Sequence, residues 1–173
     1  NGYSNVATGY QAGYLMAAGY QNTLIGSYAG YNITSGSNNV CLGNNAETPS
    51  NSSTNTIVLG NSVIQSLRCQ VQTISGLSDE RDKTDIKDSE YGLDLISSLK
   101  PVTFEWNQRD GQRKGLKDLG FIAQDLQKVD DEHLSFVSDE DPEKLSASYG
   151  RLIPVLVKAI QELKAEIEIL KNK

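Results

Sequence analysis

Gly9, Gly26, Gly43 and Gly60 recur at a constant interval of 17 residues, and the columns beside them keep the same step. Ahead of the glycine run Val6, Thr23, Val40 and Ile57, then Ala7, Leu24, Cys41 and Val58, then Thr8, Ile25, Leu42 and Leu59. Three positions after it come Ala12, Ala29, Ala46 and Val63; Asn5, Asn22 and Asn39 fill one polar column, and Tyr14 and Tyr31 another. A period this short holds one short strand and its turns, so the chain is expected to stack such units as rungs. Glycine belongs where the backbone takes positive φ or passes close to a neighbour, and Asn and Gly belong at the corners.

One rung offers only a handful of apolar side chains, while ordering its backbone costs ~1 to 2 kcal/mol per residue. It must lean on something else. Stacking along the axis supplies part of the burial, but a four-rung stack keeps open edges. Winding several chains around a common axis closes those edges and pools the apolar columns. The expectation is therefore a homotrimeric β-prism or triple β-helix, with a single-chain β-roll as the alternative. The pattern does not by itself set the number of chains.

The composition breaks once. Residues 1–77 carry two charged side chains, Glu47 and Arg68, and the remaining 96 residues carry all the others, hence the whole net charge of −6. So sharp a break outweighs length as a guide to domains and divides the chain into modules 1–77 and 78–173. The start at Asn1, already inside the repeat, suggests a piece of a longer chain. No run of about 18 apolar residues exists and no basic start precedes an apolar stretch, which argues against membrane insertion or a secretory leader. The acidic balance without a basic stripe argues against nucleic acid. Cys41 and Cys69 have no metal-ligand spacing and read as packing residues, and His133 in "DDEH" reads as solvent-facing. No metal and no cofactor are called for.

In the charged module, Leu93, Leu95, Ile96 and Leu99 of "EYGLDLISSLK" suit a short amphipathic helix that stops before Pro101. "PVTFEWN" alternates Val102, Phe104 and Trp106 with Thr103, Glu105 and Asn107, a half-buried strand. Asp110-Gly111 in "QRDGQRKG" reads as a hairpin turn, and Phe121, Ile122, Leu126 and Val129 as a second helix. The third helix, 151–173, has Pro154 in its first turn and Leu156, Ile160, Leu163, Ile167 and Leu170 spaced four, three, four, three. That seam points equally to association with other chains and to packing back on its own domain. Ile at one core position and Leu at the other favours two strands by itself.

Ser78 and Lys83 stand on the composition break. A serine hydroxyl becomes a nucleophile when a base takes its proton, and lysine, with a reference pKa of about 10.4, does so when burial favours its neutral form. Five residues is an awkward separation: the two side chains fall on opposite faces of a strand and about 140° apart on a helix. A bend within "SDERDK", or a neighbouring chain, must bring them together.

"SDERDKTDI", "YGLDLISSLKPVTFEW", "LGFIAQDLQKV" and "YGRLIPVLVKAIQELKAEI", in this order, resemble the C-terminal intramolecular chaperone domain of phage tail spikes and tail fibres, the endosialidase-type self-cleaving family. The likeness covers residues 78–173, and the repeat module resembles more loosely the shafts that such domains follow. It implies an α+β chain: a repetitive β shaft, then a mixed α/β chaperone domain ending in a long helix, assembled as a homotrimer. It implies that this domain trimerises, templates the folding of the β-structured fibre upstream and releases itself by cutting Leu77–Ser78, with Ser78 as nucleophile and Lys83 as general base. Asp82 stands where related motifs often carry an apolar residue, and pairing with it would raise the Lys83 pKa and slow the cut.

By the same resemblance the protein is expected in the virion, with the chaperone acting in the host cytoplasm during assembly and the shaft as its folding client and cleavage substrate. A shaft of near-identical rungs is prone to slip by whole rungs, and a compact trimer at one end fixes the register. Three other readings stay open: a permanent trimerisation foot that does not cut, a shaft whose Tyr and Asn columns bind a receptor or glycan on the host surface, and a self-cleaving membrane-anchored regulator with similar motifs.

Overall fold

The computed structural model describes residues 2–71 and 74–173. Asn1, the abrupt start of the sequence pattern, lies outside them. The chain is mixed α/β with a C-terminal helix, and it divides into two compact units. The first gathers the chain up to Leu67 with Glu105–Leu116 and Asp139–Leu145; the second gathers Arg68–Phe104, Lys117–Ser138 and Ser146–Lys173.

The first unit is a ladder of four three-residue strands, β1 (Val6–Thr8), β2 (Thr23–Ile25), β3 (Val40–Leu42) and β4 (Ile57–Leu59). They pair in parallel in chain order, and each pairing joins residues 17 apart: Ala7 with Leu24, Leu24 with Cys41, Cys41 with Val58. Pairing within one chain is that of a single-chain roll or prism; a triple β-helix would pair its strands between chains. The centre residues of β2 and β3, Leu24 and Cys41, are buried and form a core with Ala29, Ala46 and Ile33, while Ala7 of β1 is exposed and Val58 of β4 half-buried. Val63, the last member of the alanine column, is 48% exposed because no rung follows to cover it.

Two devices weld the rungs. Gly9 and Gly26 take φ of +132° and +135°, and a Cβ on either would run into the carbonyl of the glycine one rung on. Beside them Asn22 and Asn39 are buried with their amides stacked. The backbone N–H and Nδ2 of Asn39 both donate to Asn22 Oδ1 at 3.0 Å, and those of Asn22 donate to Asn5 Oδ1 at 2.9 and 3.1 Å. Each buried Asn also donates from Nδ2 to a carbonyl, Gly36 or Ser53, so its amide is satisfied away from water. The tyrosine column stacks likewise, Tyr14 on Tyr31 with ring centres 5.5 Å apart and planes 4° from parallel.

The second unit has a core of Leu126, Leu134, Phe136, Leu152 and Val155, packed by Tyr91, Leu95, Ile96, Leu99 and Phe121. These come from α1 (Leu93–Ser98), α2 (Ala123–Leu126), α3 (Leu152–Lys171) and their flanking segments. α1 stops at Leu99, two residues before Pro101. β5 (Val102–Glu105) alternates half-buried and exposed as its pattern predicts, and it pairs with β6 (Lys117–Gly120) across a connection with Asp110-Gly111 near its middle, Gly111 at φ +77°. β7 (Val137–Ser138) and β8 (Ser146–Ala147) form a small antiparallel pair.

α3 packs on its own domain through a stripe other than the seam. Leu152, Val155 and Ala159 are buried against the unit's own core, and Glu162, on the same face, accepts the Leu93 N–H at 2.7 Å, capping α1, whose N-cap Gly92 has no side chain to do so. The heptad positions Leu156, Ile160, Leu163, Ile167 and Leu170 are all exposed.

Candidate functional site

Residues 74–90 are exposed throughout and carry one element, a single 3₁₀ turn at Glu80–Asp82. The residues either side of the turn are extended, Asp79 at φ −67° and ψ 136° and Lys83 at φ −128° and ψ 149°. Lys83 N–H closes the turn on the Glu80 carbonyl at 3.0 Å, and Asp82 N–H donates to the Asp79 carbonyl at 3.2 Å. This is the bend that the spacing demanded, and it lies within one chain.

Across the bend the Lys83 ammonium reaches back to Ser78. Its Nζ donates to Ser78 Oγ at 2.7 Å and to the Ser78 carbonyl at 3.0 Å. Leu77 precedes them with its side chain fully in solvent, at 101%. Ser78 and Lys83 are themselves exposed in the single chain. The sequence-derived pair thus comes within hydrogen-bond reach, at the separation a proton transfer needs. Neither residue is shielded from water.

The ion pair of this turn is Asp79 with Arg81, and the Lys83 ammonium is directed at Ser78. Asp79 Oδ1 accepts the Arg81 backbone N–H at 2.9 Å and Nε at 3.0 Å, while Oδ2 takes a guanidinium N–H at 2.6 Å. The guanidinium and the backbone N–H hold the Asp79 carboxyl below the usual carboxylate range, and Asp79 raises Arg81 in return. Sequence reasoning marked this stretch as turn-forming and gave neither residue a part. The signal was present: an Asp two residues before an Arg can cap that residue's N–H and fork its guanidinium with the same carboxylate.

Cys41 lies in the ladder core, where burial pushes its thiol up to about 11. Cys69 is exposed, not packed, because it follows the last rung. His133 is exposed near Tyr91. Among the described residues no group of three or more His, Cys, Asp or Glu is placed to hold a metal ion.

The segment that opens with Ser78 is similar to a known class of domain. Residues 78–135 match the family model Peptidase_S74, chaperone of endosialidase. Over 97 residues the chain is 36% identical to the long tail fiber protein Gp37 of Enterobacteria phage M1 and, equally, to that of Enterobacteria phage Ox2. The match takes in 55% of this chain and 39% of the length of each fibre protein. No solved structure matches the chain.

Proposed function

We propose that the chain is the C-terminal region of a phage tail fibre: repeat module 1–77 as shaft, and module 78–173 as an intramolecular chaperone that trimerises, templates shaft folding and releases itself between Leu77 and Ser78. The protein then belongs to the virion, with the chaperone acting in the host cytoplasm before release. The observation that carries the reading is the 2.7 Å approach of Lys83 Nζ to Ser78 Oγ at the first residues of the matched domain.

In the chemistry that follows, neutral Lys83 takes the proton of Ser78 Oγ, and the oxygen attacks the Leu77 carbonyl carbon. The C–N bond to Ser78 breaks, and the nitrogen takes up the proton that Lys83 received. The leaving amine and the attacking oxygen belong to one residue, so the product is an ester between Leu77 and the Ser78 side chain, with a free Ser78 amine. Water hydrolyses the ester to a Leu77 carboxylate and restores Ser78. All reacting groups share one short segment, which makes the first step intramolecular. Burial is what favours a neutral lysine, and the covering must come from other chains, so cutting waits for assembly.

The exposed α3 seam supports association between chains, since five aliphatic side chains on one stripe are what a partner helix covers; the number three rests on the family likeness. Intact mass of the purified chain tests the whole: fragments ending at Leu77 and starting at Ser78 are expected, with none from Ser78→Ala or Lys83→Ala. A full-length wild-type mass would leave the alternative, a permanent foot. The shaft would then serve attachment, which its stacked tyrosines favour: exposed Tyr3 on exposed Tyr20, and exposed Tyr14 on half-buried Tyr31. Glycan binding by residues 1–77 would raise that reading.

A further inference from the structure

We infer that Asp79, locked by Arg81, is a positioning residue for self-cleavage, the group that folds the chain so that the Lys83 amine meets the Ser78 hydroxyl. The inference rests on the reading of Ser78 and Lys83 as the reacting pair.

Left extended, the five steps from Ser78 to Lys83 would span roughly 16 Å at 3.3 Å per residue. The observed separation of Nζ and Oγ is 2.7 Å. What shortens the path is one 3₁₀ turn, and such a turn is marginal alone, because it fixes several dihedrals for two hydrogen bonds of poor geometry. Packing does not hold it: the turn contains no buried residue. A side-chain clamp is what remains.

Asp79 supplies that clamp with both oxygens. Oδ1 caps the Arg81 N–H, fixing the entry to the turn, while the guanidinium closes on Oδ1 and Oδ2 from the far side. A bidentate fork of this kind constrains direction as well as distance, which a lysine at position 81 could not do. The clamp also occupies both oxygens of the Asp79 carboxylate. Asp79 is thereby withheld from Lys83, whose ammonium turns to Ser78.

An ordinary structural cap would make the same hydrogen bonds, so the test must ask whether Asp79 acts through Lys83. Cleavage is followed by intact mass for wild type, Asp79→Ala and Asp79→Asn, and for Lys83→Ala supplied with ethylamine, with and without Asp79→Ala. A misplaced base costs on the order of 100-fold, so Asp79→Ala should slow the cut by about that factor. Asp79→Asn should fall between, because its amide oxygen still caps Arg81 while the fork is weakened. Ethylamine-rescued Lys83→Ala should be indifferent to the second substitution, since a free amine needs no turn to reach Ser78. In parallel, NMR contacts between the Lys83 Hε and Ser78 Hβ protons should be present in the uncut chain and absent in Asp79→Ala. Wild-type speed in Asp79→Ala, equal slowing of the rescued variant, or persistence of the contact would each overturn the inference. An uncut wild type whose contact still depends on Asp79 would uphold the positioning role and reject self-cleavage.

Discussion

Asn39 lies directly over Asn22, with its backbone N–H and side-chain amide both donating to one oxygen, Asn22 Oδ1, and both residues buried. Replacing Asn22 by Ala strands the Asn39 N–H and the Gly36 carbonyl in a dry interior at once. Unpaired buried groups cost about 1 to 3 kcal/mol each, so Asn22→Ala should lower stability by roughly 3 kcal/mol, read from its urea midpoint. Asn22→Asp keeps the shape but turns a donor into an acceptor against Asn5 Oδ1 and the Gly36 carbonyl, and should cost at least as much.

Glu162 caps α1 from another helix, and a Cβ at Gly92 would meet its carboxylate. Glu162→Ala should cost about 1 kcal/mol, the typical worth of a cap. Glu162→Gln, which keeps an acceptor oxygen, should cost less. Gly92→Ala should be less harmful in the Glu162→Ala background than in wild type, because the two changes break one contact. Additive losses would show that the cap and the glycine act separately.

The Tyr91 hydroxyl donates to Asp131 Oδ2, and Asp131 Oδ1 accepts the His133 and Leu134 N–H groups. The tyrosine, more than the backbone, holds the Asp131 carboxyl below its ordinary range, and Asp131 holds Tyr91 above its own. Folding therefore favours the carboxylate. Its contribution is complete above the unfolded carboxyl pKa of about 3.9 and fades as pH falls through the lower folded value. The tyrosine contribution is complete below about 10 and fades as pH rises through its higher folded value. Tyr91→Phe should flatten both limbs of urea midpoint against pH; curves parallel to wild type would contradict this.

Ile160 and Leu163 are 64% and 42% exposed on α3, whereas Leu152 on its buried face is 8% exposed. At dilution, Ile160→Glu and Leu163→Glu should leave the stability of the single chain within about 0.5 kcal/mol. Leu152→Ala should cost about 2 to 5 kcal/mol. If the seam joins chains, sedimentation will show the two Glu variants losing association that Leu152→Ala retains while folded.

The repeat was legible to the residue because a constant interval states its own register: columns such as Ala7, Leu24, Cys41 and Val58 are the strand partners observed. The two faces of α3 were less legible. Leu152, Val155 and Ala159 obey the same helical spacing as the seam, and which stripe turns inward depends on α1 and the segment around Phe136. At the site, residue types pointed to Ser78 and Lys83, while the turn that joins them depends on a side chain, Asp79, whose effect spans two residues and leaves no periodic trace. Cys69 was misread as packing because apolar type alone does not reveal that the last rung has ended.

The glycine column sets a limit on what this ladder can become. Between Gly9 and Gly26, and again between Gly26 and Gly43, the clearance is smaller than one methyl group. Any heavier residue there acts as a wedge, prising apart two floors of the stack and with them the asparagine seam alongside. Sequence drift is free to redecorate the outer walls of every floor, but along this line the staircase tolerates only hydrogen.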